Sequence, residues 1–134
     1  MKRESGQISV LIIGCCTLIG LLAVVVINSS AAFLQKQRLA DLADGAALAG
    51  ADAIQIEQIY AKGLNRDLPL NAPVAQKAAV AHLAGKNNLT WNIQASTSAV
   101  RIQLREPIKL PLVPPGWKSQ TMIFAESTAL LRTN

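Results

Sequence analysis

ISVLIIGCCTLIGLLAVVVI, residues Ile8 to Ile27, is a run of twenty residues without a charge, in which Ser9 and Thr17 are the only hydroxyls. At about 1.5 Å of rise per residue, a helix of this length reaches about 30 Å, the thickness of the hydrocarbon core of a bilayer. Leucine, isoleucine and valine supply the hydrophobicity that insertion requires. The run therefore predicts a membrane-spanning helix. A core helix of a soluble protein is one competing explanation, but such helices usually carry a polar face. A cleaved secretory signal is the other; its apolar region is about 7 to 15 residues long and ends at a small-x-small site. Here the run is longer, and the nearest cleavage candidate lies beyond it in Asn28-Ser29-Ser30-Ala31-Ala32.

Before the run stands MKRESGQ, residues 1–7, with Lys2 and Arg3 against Glu4. Positive residues beside a first membrane helix resist translocation, so this leader is expected in the cytoplasm and residues 28–134 on the extracytoplasmic side of a single-pass protein. Lys36 and Arg38 on the far side reduce the charge asymmetry. Within the run, Ser9, Cys16, Gly20 and Ala23 form a stripe of small residues at helical spacing, and small residues let helices approach closely in lipid. Both cysteines, Cys15 and Cys16, lie in the run side by side. No disulfide framework therefore holds the outer part together, and they read as small apolar packing residues. Ile12-Ile13-Gly14-Cys15 also resembles a lipoprotein lipobox. In that family, however, the apolar stretch precedes the cysteine and a polar tether follows it, whereas here apolar residues continue to Ile27.

After the run, Ala31 to Tyr60 is rich in Ala and Leu and free of proline. It predicts a continuation of the helix into water, with Asn28, Ser29 and Ser30 marking the interface. Leu39, Leu42, Ala43, Ala46, Ala49, Ala53 and Ile56 recur every three or four residues, while Lys36, Arg38, Asp41, Asp44, Asp52 and Glu57 fall mainly elsewhere. This amphipathic pattern predicts an alanine-lined stripe that lies against the protein's own domain or against neighbouring copies. Gly63 is placed to end the helix in a left-handed cap, and Leu64 to Asn71, with Pro69, reads as a loop. Asn71 is then expected to cap a second, short helix with Pro73 in its first turn. Val74, Ala78 and Ala81, and Ala75, Ala79 and His82, are its near-face sets, and Gly85 and Asn87-Asn88 stop it.

From Leu89 the period changes to two. Leu89, Trp91 and Ile93 alternate with polar residues, and Val100, Ile102 and Leu104 do so again, giving two strands joined through Ser96 to Ala99. Glu106 to Trp117 holds Pro107, Pro111, Pro114 and Pro115 and reads as a rigid, turn-rich connection. A last strand, from about Ser119 to Leu131, places Met122, Phe124, Thr128 and Leu130 on one face. The expected fold is α+β: a long membrane-spanning helix continuing into an amphipathic one, a second short helix, and a three-stranded antiparallel meander. Such a sheet needs a helix over its apolar face to be stable.

At 134 residues, with a formal net charge of +5 spread along the chain and few aromatics, the protein lacks the clustered basic face of a nucleic-acid binder. No nucleic-acid partner is expected. His82 is the sole histidine. That excludes a metal site built on several imidazoles, and no metal or cofactor is expected. Asp41 and Asp44 lie three apart on one helical face, the spacing of neighbouring carboxylates, and read as a solvated face. Neither a nucleophile elbow nor a phosphate-binding glycine loop is present, so no catalytic residue is assigned and no enzymatic activity is expected. Asn28-Ser29-Ser30 and Asn88-Leu89-Thr90 match the N-glycosylation pattern, which matters only in a eukaryotic secretory pathway.

The order of parts resembles the type IV pilin plan and, more closely, the TadE/TadG-like proteins of bacterial Flp (tight adherence) pilus assembly. Gly6-Gln7-Ile8-Ser9-Val10 resembles that family's helix start. Leu39-Ala40-Asp41-Leu42-Ala43-Asp44-Gly45-Ala46-Ala47-Leu48-Ala49-Gly50-Ala51 is similar to its Leu-x-x-Ala-Ala-Asp-Ala-Ala-Ala-Leu-Ala-Gly-Ala box. The resemblance covers about the first fifty residues. It implies a minor pilin-like or secretion-assembly component that contacts membrane lipid and other assembly proteins through its helices, and a cut by a prepilin peptidase between Gly6 and Gln7. Two positions depart from the pattern. Leu11 stands where type IV pilins and the TadE branch commonly carry a glutamate, so polymerisation into a fibre is not implied. Asn28 stands near the acidic residue that many TadG-like relatives place after the helix. The alternative is a signal-anchored binding domain of the cell surface with no pilus connection. A secretion ATPase and a membrane-platform gene alongside would separate the two.

Overall fold

Nothing between Glu4 and Gly63 breaks a helix, and the computed structural model, which describes residues 4–63, 72–96 and 98–131, runs one through all of it. This helix, α1 (Glu4–Gly63), has 60 residues and at 1.5 Å per residue is roughly 90 Å long. It is uninterrupted through Asn28, Ser29 and Ser30. An asparagine inside a helix usually competes for nearby backbone groups, but the Asn28 amide is engaged elsewhere, by Leu112. Thr17 in the apolar run donates its hydroxyl to the Ile13 carbonyl one turn back, at 2.8 Å. Gly63 is the last residue of α1 and does not adopt the left-handed conformation expected of it. Lys2, Arg3, the loop 64–71 with Pro69 and the Asn71 cap lie outside the described residues.

The second helix, α2 (Ala72–Leu83), buries Ala75, Ala79 and Leu83. Of the two near-face sets expected, Ala75 and Ala79 face inward, whereas His82 is exposed and Leu83 takes the third inward position. Gly85, at φ +87, turns the chain out of the helix, and Lys86 donates to the Leu83 carbonyl. Asn88 follows at φ 68, a left-handed conformation that asparagine tolerates better than most residues.

Three strands complete the chain: β1 (Thr90–Ala95), β2 (Ala99–Lys109) and β3 (Gln120–Leu130), antiparallel, in the order β1-β2-β3. The β1–β2 turn is closed by Ser96, whose N–H donates to the Ala99 carbonyl at 2.8 Å while its hydroxyl accepts from the Ala99 N–H at 3.2 Å. Strand β2 is longer than the sequence reading allows, continuing through Glu106 and Pro107 to Lys109. Pro107 is tolerated because β1 ends at the Thr90–Arg105 pair, so beyond it β2 has a neighbour on the β3 side alone.

Both helices cover one face of the sheet, α1 over β3 and β2 and α2 over β1. Between them lie Leu39, Ala43, Ala46, Ala47, Ala51 and Ile54 of α1 against Val100, Ile102, Leu104 and Ile108 of β2 and Ile123 and Ala125 of β3. One expected face is corrected here. The inward stripe of α1 is rotated from the predicted one: Gly50, Ala51 and Ile54 are buried, while Ile56 is 54% exposed. In β3 Met122, Phe124, Thr128 and Leu130 do share a face, and it is the exposed one, with Ile123, Ala125 and Ala129 turned inward.

Candidate assembly surface at the membrane junction

Small residues on α1 make the seat on which the outer domain rests. A Cβ built on Gly50 would stand 3.2 Å from both the Ala75 carbonyl oxygen and Val100 Cγ1, and one on Gly45 would stand 2.7 Å from His82 Nε2. Glycine at these positions lets α2 and β2 come against the helix. Ala46 and Ala47 are 0% and 1% exposed in the same seat. Of the two roles open to the alanine stripe, contact with its own domain is the one observed.

Few of the chemistry-bearing residues come together. Asp41 and Asp44 are exposed, and His82 lies against Gly45 at the edge of the seat. Cys15 and Cys16 are free and exposed midway along the apolar run. Among the described residues, no group of three or more His, Cys, Asp or Glu is arranged to hold a metal ion. Arg101 Nε pairs with Glu126 Oε1 at 2.8 Å on the outer face of the sheet, and Gln103 donates to the other oxygen at 3.1 Å. These side chains are substantially solvated and read as a surface cluster.

The junction between the apolar run and the outer domain is more specific. Asn28, one residue past the run, is 8% exposed. Its amide nitrogen donates to the Leu112 carbonyl at 2.6 Å, and its oxygen accepts from the Leu112 N–H at 3.0 Å. One side chain thus satisfies both backbone groups of a residue 84 positions away, much as a neighbouring strand would. The connection between β2 and β3 is pulled down onto α1 as a result: Leu112, Val113 and Pro114 line a groove with Thr17, Gly20, Leu21 and Val24. Val24 is accordingly half-buried, while the other residues from Gly6 to Ile27 are exposed. The buried, doubly bonded Asn28 amide is also closed to glycosylation in this fold. Sequence reading missed the clamp because no local pattern pairs residues so far apart. The available signal was an isolated amide at the end of an oil-like helix together with an uncharged, proline-rich loop.

With the seat and the clamp occupied, the uncovered apolar surface of α1 is most of the run together with Phe33, Leu34, Leu48, Ile56, Ile59 and Tyr60, these six each more than half exposed. One helix among the described residues is long and apolar enough to cross a membrane, and the apolar window that qualifies it is not buried at all. Residues 6–53 match the family model described as "Putative Flp pilus-assembly TadE/G-like". This N-terminal segment is similar to that family. The TadE/G-like segment takes in the apolar run, the Asn28 position and the glycine–alanine seat, and it stops before α2 and the sheet, which lie outside the match. No curated protein and no solved structure matches the chain.

Proposed function

We propose that the protein is a non-enzymatic, single-pass membrane component of Flp-type pilus or secretion assembly. In this reading residues 1–7 are cytoplasmic, 8–27 span the membrane and 28–134 form the extracytoplasmic domain. The observation that carries it is the TadE/G-like match on a helix whose apolar run is almost entirely uncovered and which passes without a break into a folded domain. A continuous helix transmits position, so a partner gripping the run in lipid also sets the height and rotation of the outer domain. Partner helices are offered the run and the outward face at Leu48, Ile56 and Tyr60, since the alanine seat is already filled. A prepilin peptidase would act between Gly6 and Gln7, ahead of the run.

In-cell photo-crosslinking tests this reading. Probes at Leu48, Ile56 and Tyr60 should capture other assembly proteins, while a probe at the exposed Asn92 of β1, off this helix, should not. Labelling that is uniform across all four positions would argue for no defined interface. The alternative, a surface binding domain unconnected with pili, predicts no secretion ATPase or membrane-platform gene beside this one.

A further inference from the structure

The segment between β2 and β3, Leu110 to Trp117, carries no charge, and Lys109 and Lys118 bracket it. Its base is closed by the Leu110 N–H donating to the Ser119 carbonyl at 3.0 Å, which brings the two lysines to the same end of the hairpin. From there it descends along α1: Leu112 is held at Asn28, and Pro114 lies in the groove with Thr17 and Val24. Val24 is about 4.5 Å and Thr17 about 15 Å below the end of the apolar run, taking 1.5 Å per residue. Pro114 is two residues beyond Leu112, at most about 7 Å of chain, so the loop follows the outer end of the run rather than its middle and is in lipid to that depth wherever the helix is.

Lipid demands that backbone donors be met internally. Pro111, Pro114 and Pro115 have none to meet. Leu112 donates to Asn28 and Trp117 to the Pro114 carbonyl at 3.1 Å. Among the described residues Val113 and Gly116 have no backbone acceptor, which suits the carbonyl-rich boundary below the headgroups better than the bilayer centre. Trp117 is 60% exposed, beside Lys118 toward the hairpin's base, and tryptophan favours that boundary. The two lysines have stems long enough to reach the headgroups from the hairpin's base.

Resting on the reading of residues 8–27 as the membrane span, we infer that the hairpin from Leu110 to Trp117 is a second membrane contact, inserted into the acyl boundary of the leaflet on the outer domain's side. The occupant of its apolar surface is lipid. The protein is thereby held at two points, and the sheet cannot rotate freely about the helix.

The test uses full-length protein in vesicles of phosphatidylcholine and phosphatidylglycerol. With Trp91→Phe, Trp117 is the sole tryptophan; it should emit at shorter wavelength than in detergent-free buffer, resist acrylamide and lose most of its emission to shallow-brominated lipid. With Trp117→Phe, the remaining Trp91 should be quenched by acrylamide and untouched by bromolipid. A Leu18→Trp reporter in the background lacking both native tryptophans reads the span separately and should be quenched by deep-brominated lipid. Acrylamide quenching of Trp117 equal to that of Trp91, with the Leu18→Trp reporter still in lipid, overturns the hairpin alone. Protection from both quenchers overturns lipid as the occupant in favour of a second copy. Loss of the Leu18→Trp signal overturns the span and the hairpin with it.

Discussion

Asn28→Ala removes the clamp while leaving the helix a better helix former. Two hydrogen bonds disappear, both made by an amide that is 8% exposed. Each contributes about 0.5–1.5 kcal/mol net, so the closed hairpin loses about 1–3 kcal/mol relative to an open one. The loss is bounded by that net value, because the hairpin opens to water rather than keeping the Leu112 N–H and carbonyl unmet. An energy of that size corresponds to roughly a 5- to 150-fold change in an equilibrium. Hydrogen exchange of the 110–119 segment, measured by mass spectrometry in detergent or nanodiscs, should therefore accelerate by that factor at Leu112. Exchange in β1 and α2 should be unchanged, because the core does not depend on the clamp. Asn28→Asp keeps the acceptor for the Leu112 N–H but sets a carboxylate against the Leu112 carbonyl, so it should not restore protection. Unaltered exchange at Leu112 in Asn28→Ala would refute the clamp as the device that holds the hairpin down.

The seat makes further predictions. Gly50→Val drives side-chain atoms into the Ala75 carbonyl and Val100 and should destabilise the outer domain by about 1–3 kcal/mol in thermal melts. Gly45→Ala meets only the exposed His82 ring, which can swing aside, so its melting temperature should stay close to that of the parent. Ala46→Leu overfills a fully buried site and should cost about 1–3 kcal/mol, a folding defect readable in the protein alone with no partner present. Ile102→Ala empties the middle of the sheet's buried face and should cost about 2–5 kcal/mol by the same measurement. Intact-mass analysis of membrane-extracted protein should show a chain beginning at Gln7 if the peptidase cut occurs, and a Met1 terminus would exclude it.

The local parts of this molecule are legible in its sequence because they are local properties. Twenty uncharged residues match a bilayer by length, an alanine- and leucine-rich stretch without proline continues the helix, and Gly85 with Asn88 stops α2, as read before any fold is known. Period-two alternation likewise locates the three strands. Which face of each element turns inward was harder to foresee. In β3 the bulkier set, Met122, Phe124 and Leu130, is the apparent core face by hydrophobicity, yet Ile123, Ala125 and Ala129 are the inward ones. The reason lies across the interface: α1 offers alanine and glycine there, and a helix so close to the sheet leaves room for small side chains. The same proximity rotates the α1 stripe toward Gly50 and Ile54.

From sequence alone come the apolar span, the unbroken helix, the number and order of elements and the likeness of the first fifty residues to a pilus-assembly family, since each depends on neighbours within a few turns of chain. Tertiary structure decided that the alanine seat serves the protein's own domain and that Asn28 holds Leu112. Both depend on residues distant along the chain, whose meeting is set by the pairing of strands and the approach of helix to sheet rather than by any pattern within one stretch.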